Sequence, residues 1–348
     1  METITIHIFS REPHLSQILT GFLMLSKRRH CNFKIVVEDH SRDNNCPYRG
    51  ALLRVFYRGK VIIYDMQDGY QDPDLIRYHL VKCDVYFKRS YSSEKNQELL
   101  LPNTDKMYPL GFNYHVSYRN HPIDQPYWKE QLKGMLGYPQ NNFCNTGFTP
   151  NVFEQKPVFK ESNFSVLFCA RLWSEDISLT PNLNAERRYI NNMRIEILRC
   201  LKSMPEIHFV GGLSDNPYTR TVAPDLILPE KLVDRRTYLK MVHNSDICIG
   251  SMGLHESIGW KTGEYVAASK AIVNEKLHYQ LPGNYQEGTH YLGFDTAEQC
   301  VRAVKELINN PHKLYKMKCA NYEYYLHFLK PDILVENTLD IADRIAQS

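Results

Sequence analysis

From Thr3 to Phe9 isoleucines alternate with polar residues, the period-two pattern of a strand with one buried face. Pro13 then opens a predicted helix that ends near Arg29, and Phe33 to Glu38 reads as a second strand. A strand–helix–strand opening predicts a parallel pair. Two β-rich runs follow, Ala51–Tyr57 and Lys60–Asp65, and the Arg58-Gly59 step between them is a two-residue hairpin signal. Asp72-Pro73 fits an N-cap followed by proline at the first helical position, so a helix is expected there, leading to a short strand over Cys83–Phe87. From about Tyr118 to Lys160 the chain is rich in Pro, Asn and Tyr, and its prolines break any regular element.

The second half repeats the rhythm. Strands are predicted over Phe164–Ala170, Ile207–Val210, Leu226–Leu228, Asp246–Ile249 and Ala271–Asn274. Helices are predicted over Ala185–Ser203, from Asp234 to about His243, and over Thr262–Ser269 and Ala297–Asn309. Strands alternating with helices of this length predict a parallel, doubly wound sheet. The two halves look alike, and 348 residues suit two domains of roughly 150 residues each.

Composition narrows the class. Hydrophobic residues make up 43% and charged residues 23%, the balance of a globular protein, and a net charge of +3 gives no case for a nucleic-acid partner. The basic run Lys27-Arg28-Arg29 sits where it would neutralise the end of a helix. Nine cysteines without a C-x-x-C pair argue for a reducing compartment, and no metal-ligand spacing surrounds them. Cys169 and Cys248 fall inside apolar runs, where a thiol acts as a small buried hydrophobe. The stretch Leu15 to Leu25 is interrupted by Ser16 and Gln17, so it reads as a half-buried helix and neither a signal peptide nor a membrane span. A cytoplasmic protein is expected, with peripheral contact to a membrane face left open.

The chemistry concentrates in Ser251-Met-Gly-Leu-His-Glu256-Ser-Ile-Gly259-Trp-Lys-Thr-Gly-Glu264-Tyr, which directly follows a predicted strand. Glu256 and Glu264 are separated by seven residues, Gly259 among them, and Glu264 is expected in the first turn of the next helix. In a doubly wound sheet, ligands bind beyond the carboxyl ends of the strands. A helix N-terminus there suits a diphosphate, and a carboxylate can accept two hydrogen bonds from a ribose diol. The bland alternative makes Glu256 a loop residue and Glu264 a charge matched to the helix dipole.

This stretch resembles the Glu-x7-Glu motif of retaining GT-B glycosyltransferases, the glycosyltransferase group 1 (GT4-like) family. The continuation Ala-Ala-Ser-Lys-Ala-Ile-Val-Asn-Glu, the segment Gly288-Thr-His-Tyr-Leu-Gly-Phe and the helix Ala297–Asn309 are similar to that family's closing elements, so the resemblance covers roughly residues 164–330. It implies two Rossmann-like doubly wound domains facing across a cleft: an acceptor-side domain over 1–158, a donor domain over 159–330, and a C-terminal helix over 331–348 crossing back to the first. It implies sugar transfer from a nucleotide diphosphate sugar to a glycan or lipid-linked glycan, as in polysaccharide biosynthesis, with retention, no metal and no cofactor besides the donor. On the same resemblance, Glu264 would hold the ribose, Glu256 would lie near the donor sugar, and the backbone of Ser251, Gly253 and Gly259 would approach the phosphates.

Other residues carry weaker signals. Arg171 follows a predicted strand where the family often has Gly-Arg-Leu, and a planar guanidinium suits phosphate oxygens; a surface ion pair is the alternative. The lysine that the family places a few residues later is replaced by Ser174-Glu175-Asp176, and Lys261 is a candidate substitute. Gly211 and Gly212 at a strand end either cradle a phosphate or make a tight turn. Asp68, before Gly69, could orient or deprotonate an acceptor hydroxyl, or it is a turn aspartate. Lys88-Arg89 could bring charge to the diphosphate or to an anionic acceptor, or form a solvated strand end. The rivals are a non-catalytic nucleotide- or glycan-binding protein on the same fold, kept alive by the missing lysine, and an inverting enzyme with an N-terminal carboxylate base.

Overall fold

The computed structural model describes residues 3–30, 32–38, 47–123, 148–232 and 234–345. The chain divides into two compact units, one built from residues 1–153, 279–283 and 326–348, the other from 154–278 and 284–325. The division therefore falls after Phe153 and not at 158. Residues 279–283, expected in the second domain, belong to the first, where the Gln280 amide donates to the Tyr91 carbonyl at 2.8 Å.

In the first unit, β1 (Thr3–Ile8) is followed by α1 (Ser16–Arg29) and β2 (Asn32–Val37), and β1 and β2 pair in parallel. The helix ends at His30, whose φ of 52° gives a left-handed cap. Next come β3 (Leu52–Tyr57) and β4 (Lys60–Asp65), an antiparallel hairpin. Arg58 and Gly59 both have positive φ, as a two-residue turn of matching twist requires. Asp72 caps α2 (Pro73–Lys82) by accepting from the Leu75 amide at 3.0 Å. The strands β5 (Val85–Lys88) and β6 (Met107–Pro109) complete a sheet of order β2-β1-β3-β4-β5-β6, in which β3 alone runs against its neighbours. The sheet is thus mostly but not wholly parallel, because a two-residue turn can join only antiparallel strands.

The second unit alternates without interruption. Its elements are β7 (Ser165–Ala170), α3 (Pro181–Lys202), β8 (His208–Leu213), α4 (Arg235–Asn244), β9 (Ile247–Gly250), α5 (Trp260–Ala267), β10 (Ala271–Glu275), β11 (Leu292–Phe294), α6 (Ala297–Ile308) and α7 (Pro311–Tyr324). All its strand pairs are parallel, in the order β11-β10-β9-β7-β8. The chain therefore reverses its direction of winding between β7 and β9. The Leu226–Leu228 segment forms no strand: residues Pro224–Leu226 make a 3-10 turn, and Ile227 contributes one isolated bridge to Leu213. Cys169 and Cys248 are buried, and burial pushes the Cys248 thiol up to about 12, out of reach of reactivity.

The last helix, α8 (Pro331–Ile345), belongs to the first unit, where Leu334, Val335, Leu339 and Ala342 join the core beside Ile18, Phe22 and Tyr64. Arg28 and Arg29 meet Glu336 on this helix, the former at 2.5 Å, and Arg28 also meets Asp332 at 3.2 Å. The basic run at the end of α1 thus docks α8 besides terminating its own helix. The loop expected over Tyr118–Lys160 lies outside the described residues between 124 and 147.

Candidate functional site

A doubly wound sheet opens a crevice where its winding reverses, at the carboxyl ends of the two strands concerned. In the second unit those strands are β7 and β9, and the segments leaving them carry Arg171 and the Ser251–Gly259 loop. The fold therefore puts the two sequence-predicted features at one edge.

The loop after β9 is held from outside. Arg194, on α3, donates through Nε to Ser251 Oγ at 3.0 Å, through Nη2 to the Met252 carbonyl at 2.9 Å, and through Nη1 to the Arg171 carbonyl at 2.5 Å. Its guanidinium also lies over the Trp173 ring, 4.4 Å from the centroid. Burial pushes Arg194 down to about 10, opposed by the nearby Glu275. Glu275, at the end of β10, accepts from the Met252 amide at 2.6 Å, and burial raises its own carboxyl. Glu186, on α3, accepts from the His255 amide at 2.5 Å. Within the loop the Gly253 amide closes on the Ser257 carbonyl at 2.8 Å.

These contacts hold an unusual backbone. His255 and Glu256 have φ of 59° and 58°, two consecutive non-glycine residues in the left-handed region. Each costs roughly 1–2 kcal/mol relative to the right-handed conformation. The Glu256 side chain keeps 39% of its exposure, with His278 Nδ1 3.9 Å away. Glu256 is thus a preset, accessible carboxylate and not a relaxed loop residue.

The loop ends at Gly259, the N-cap of α5, and among the described residues no side chain caps this helix. A Cβ on Gly259 would meet only the Ser251 carbonyl, at the ordinary distance of 3.5 Å, so the chain's own packing does not require glycine there. Room beside an uncapped helix start is what a phosphate group needs. Glu264 lies past the first turn of α5 and is buried. Arg235, from α4, donates to its Oε1 at 2.6 Å, while its Oε2 has no hydrogen-bond partner among the described residues. A buried carboxylate oxygen without a donor is costly unless something supplies one.

Arg171 is exposed, pairs with no carboxylate among the described residues, and sits 5.8 Å from the Trp173 centroid. The surface ion pair considered for it does not form. The acidic residues that replace the expected lysine have structural work: Glu175 pairs with Arg188, and Asp176 accepts from the Ser178 amide at 2.9 Å.

Three expectations are corrected. Lys261 does not turn to the crevice: its ammonium donates to the Cys169 carbonyl, and burial lowers its pKa. Gly211 and Gly212 lie inside β8 and not in a turn; a Cβ on Gly211 would meet the Phe168 carbonyl at 2.0 Å on the adjacent strand. Lys88 is no solvated strand end: it is 1% exposed and bonds Asp65 Oδ2 at 2.8 Å. Its neighbour Arg89 is 4% exposed and pairs with Asp68. Asp68 is therefore neutralised by a guanidinium, and His14, beside both, is pushed down to about 4 by burial and by Arg89.

Arg194, Glu186 and Glu275 escaped the motif reading. The signal was present for Arg194, which interrupts the buried helical stripe Ile190, Met193, Ile197, Leu198 and Leu201. Arg194→Met, which keeps the bulk and removes the donors, is expected to cost about 3 kcal/mol. A shift of the denaturation midpoint worth under about 1 kcal/mol would show that the loop holds itself.

No protein-family model matches the sequence, and a comparison with curated proteins finds no match. Among solved structures, HepE from Anabaena in complex with UDP and glucose aligns at a TM-score of 0.47 with 9% identity, over 99% of this chain and 100% of that one. A co-structure of MnaA from S. aureus with UDP aligns at 0.45 with 13% identity, over 97% and 95%. The C-terminal domain of a glycosyl transferase group 1 family protein (LpcC) from Francisella tularensis aligns at 0.35 with 14% identity, over 51% of this chain and 95% of that domain.

Proposed function

We propose that this chain is a glycosyltransferase of the GT-B kind, moving a sugar from a nucleotide diphosphate sugar held by the second unit to a glycan or lipid-linked glycan held by the first. The observation that carries the reading is a combination at the β7–β9 edge. Among the described residues it holds an uncapped helix start beside an unneeded glycine, an exposed arginine with no carboxylate partner, and a buried carboxylate with one oxygen unpartnered. These are an anion seat, a cation for it, and an acceptor for hydroxyl donors, spaced along one loop as a nucleotide diphosphate presents them.

In this reading the ribose hydroxyls satisfy Glu264, and the diphosphate lies on the start of α5 with Arg171 against it. Arg171 then stabilises the charge that develops on the leaving diphosphate. Because a guanidinium and a helix terminus supply that charge, no metal ion is required of the mechanism. Glu256 faces the donor sugar, where a carboxylate favours positive charge at the anomeric carbon. Retention is the stereochemical outcome we propose. Asp68, already engaged by Arg89, is left to orient an acceptor hydroxyl and is a poor candidate for the base of an inverting reaction. Action on the cytoplasmic side, in peripheral contact with a membrane when the acceptor is lipid-linked, fits such substrates.

Arg171→Ala is expected to weaken nucleotide diphosphate binding by about 1.5–3 kcal/mol, the worth of one charge-assisted contact, and to leave nucleoside binding unchanged. Calorimetric titration with the diphosphate and the nucleoside of each base tests this. Equal losses for both ligands would make Arg171 structural, and no binding of any nucleotide diphosphate would remove the proposal.

A further inference from the structure

At the other edge of the second unit's sheet, where β9 and β10 begin, lies a cavity of about 180 Å³. Lys156 and Lys160 line it from the segment before β7, Lys270 from the residue before β10, and Lys318 from α7. Among the described residues the sole carboxylate in this lining is Asp246, and His243, at the end of α4, is the remaining titratable group.

Hydrogen bonds in the cavity are well supplied, but charge is not. Lys318 and Lys160 share Asp246 at 2.9 and 2.7 Å. Lys270 is buried, and its ammonium donates to Gln155 Oε1 at 2.6 Å and to the carbonyls of His243 and Ser245 at 2.8 Å each. All three partners are neutral. Lys156 has no ion pair among the described residues. Among the described residues four ammonium groups therefore surround one carboxylate, and most of the positive charge has no counter-ion there. Concentrating like charges in a recess is unfavourable, and the natural relief is an anion.

We propose that this cavity binds a small divalent oxyanion, a phosphate or the phosphate group of a small metabolite. The space suits that class: at roughly 30 Å³ per water it equals about six waters, enough for an oxyanion and part of its shell. The ligands would be Lys156, Lys160 and Lys318, whose ammonium groups have donors to spare, with Lys270 contributing charge from behind. This site uses none of the residues assigned to the nucleotide, so it stands or falls separately.

The test measures melting of the full chain against sodium sulfate at constant ionic strength, using sulfate because it stays divalent across the pH range. Wild-type protein should show a saturable rise in Tm with half-saturation on the order of millimolar. Arg171→Ala should respond as wild type does, which separates this site from the nucleotide seat. Lys156→Ala with Lys160→Ala should lose about tenfold in affinity. Burial and the neighbouring lysines hold Lys270 near 8, so wild-type affinity should fall several-fold between pH 7 and pH 9 as its charge is lost, a readout that needs no variant. Inorganic phosphate and a sugar monophosphate form the remaining arms: tighter binding of the ester marks the metabolite as the source, and equal binding marks the free ion. A Tm that rises without saturation, or rises equally in the double variant and at both pH values, overturns the proposal.

Discussion

Glu256→Gln is expected to lower the turnover of sugar transfer about a hundredfold while leaving nucleotide diphosphate affinity within about twofold. The carboxylate is preset at a left-handed backbone position that the Glu186 carboxylate helps to hold, so the loop geometry should survive the substitution. On the proposed mechanism the charge removed faces the transition state, and its loss would appear in kcat. Glu264→Gln should do the opposite. It keeps one oxygen for Arg235 but turns the unpartnered oxygen into an amide, which cannot accept a second ribose hydroxyl. KM for the donor and Kd for the free nucleotide should then rise together, by more than turnover falls. Initial rates and titrations on the two variants resolve the pair. Identical changes in kcat and KM for both would mean that the seven-residue spacing reflects only how a helix begins.

The second large effect concerns stability. Asp65→Ala should destabilise the first unit by about 3–5 kcal/mol, because it strands the Lys88 ammonium in a buried position. The Tyr86 hydroxyl at 2.7 Å and the Gln67 amide at 2.9 Å would lose the same acceptor. Asp65→Leu combined with Lys88→Met removes both charges and should recover much of the loss. Denaturant titration measures both. A cost under about 1 kcal/mol for Asp65→Ala would mean that water reaches Lys88.

Much of the architecture was legible because it is local. The Arg58-Gly59 hairpin, the Asp72 and Asp234 caps, and the alternation of strand and helix after Phe164 are all set by residues a few positions apart. The Ser251–Gly259 loop could be singled out because a strand precedes it and a helix follows. What failed was non-local. Lys88 reads as a surface lysine until sheet register sets it opposite Asp65, twenty-three residues earlier in the chain. Lys261 lies between Glu256 and Glu264 in sequence, but its ammonium goes to the Cys169 backbone carbonyl of β7. Gly211 resembles punctuation until the neighbouring strand shows how little space it has. The loop's supports arrive from two other elements, α3 and the end of β10, and no spacing rule along the chain links them.

The place of α8 bears on how the chain is made. Its apolar side chains complete the core of the first unit, although the whole of the second unit separates them in sequence from the strands they cover. A polypeptide leaving the ribosome exposes its first strands long before the last helix exists. The second unit, once residues 284–325 have emerged, already owns a closed parallel sheet and can fold, while the first still shows the apolar surface of Ile18, Phe22 and Tyr64 to the cell. Synthesis from the N-terminus therefore completes the core of the second unit before that of the first, and the interval before the fifteen residues of α8 dock leaves the first unit's apolar surface open to aggregation.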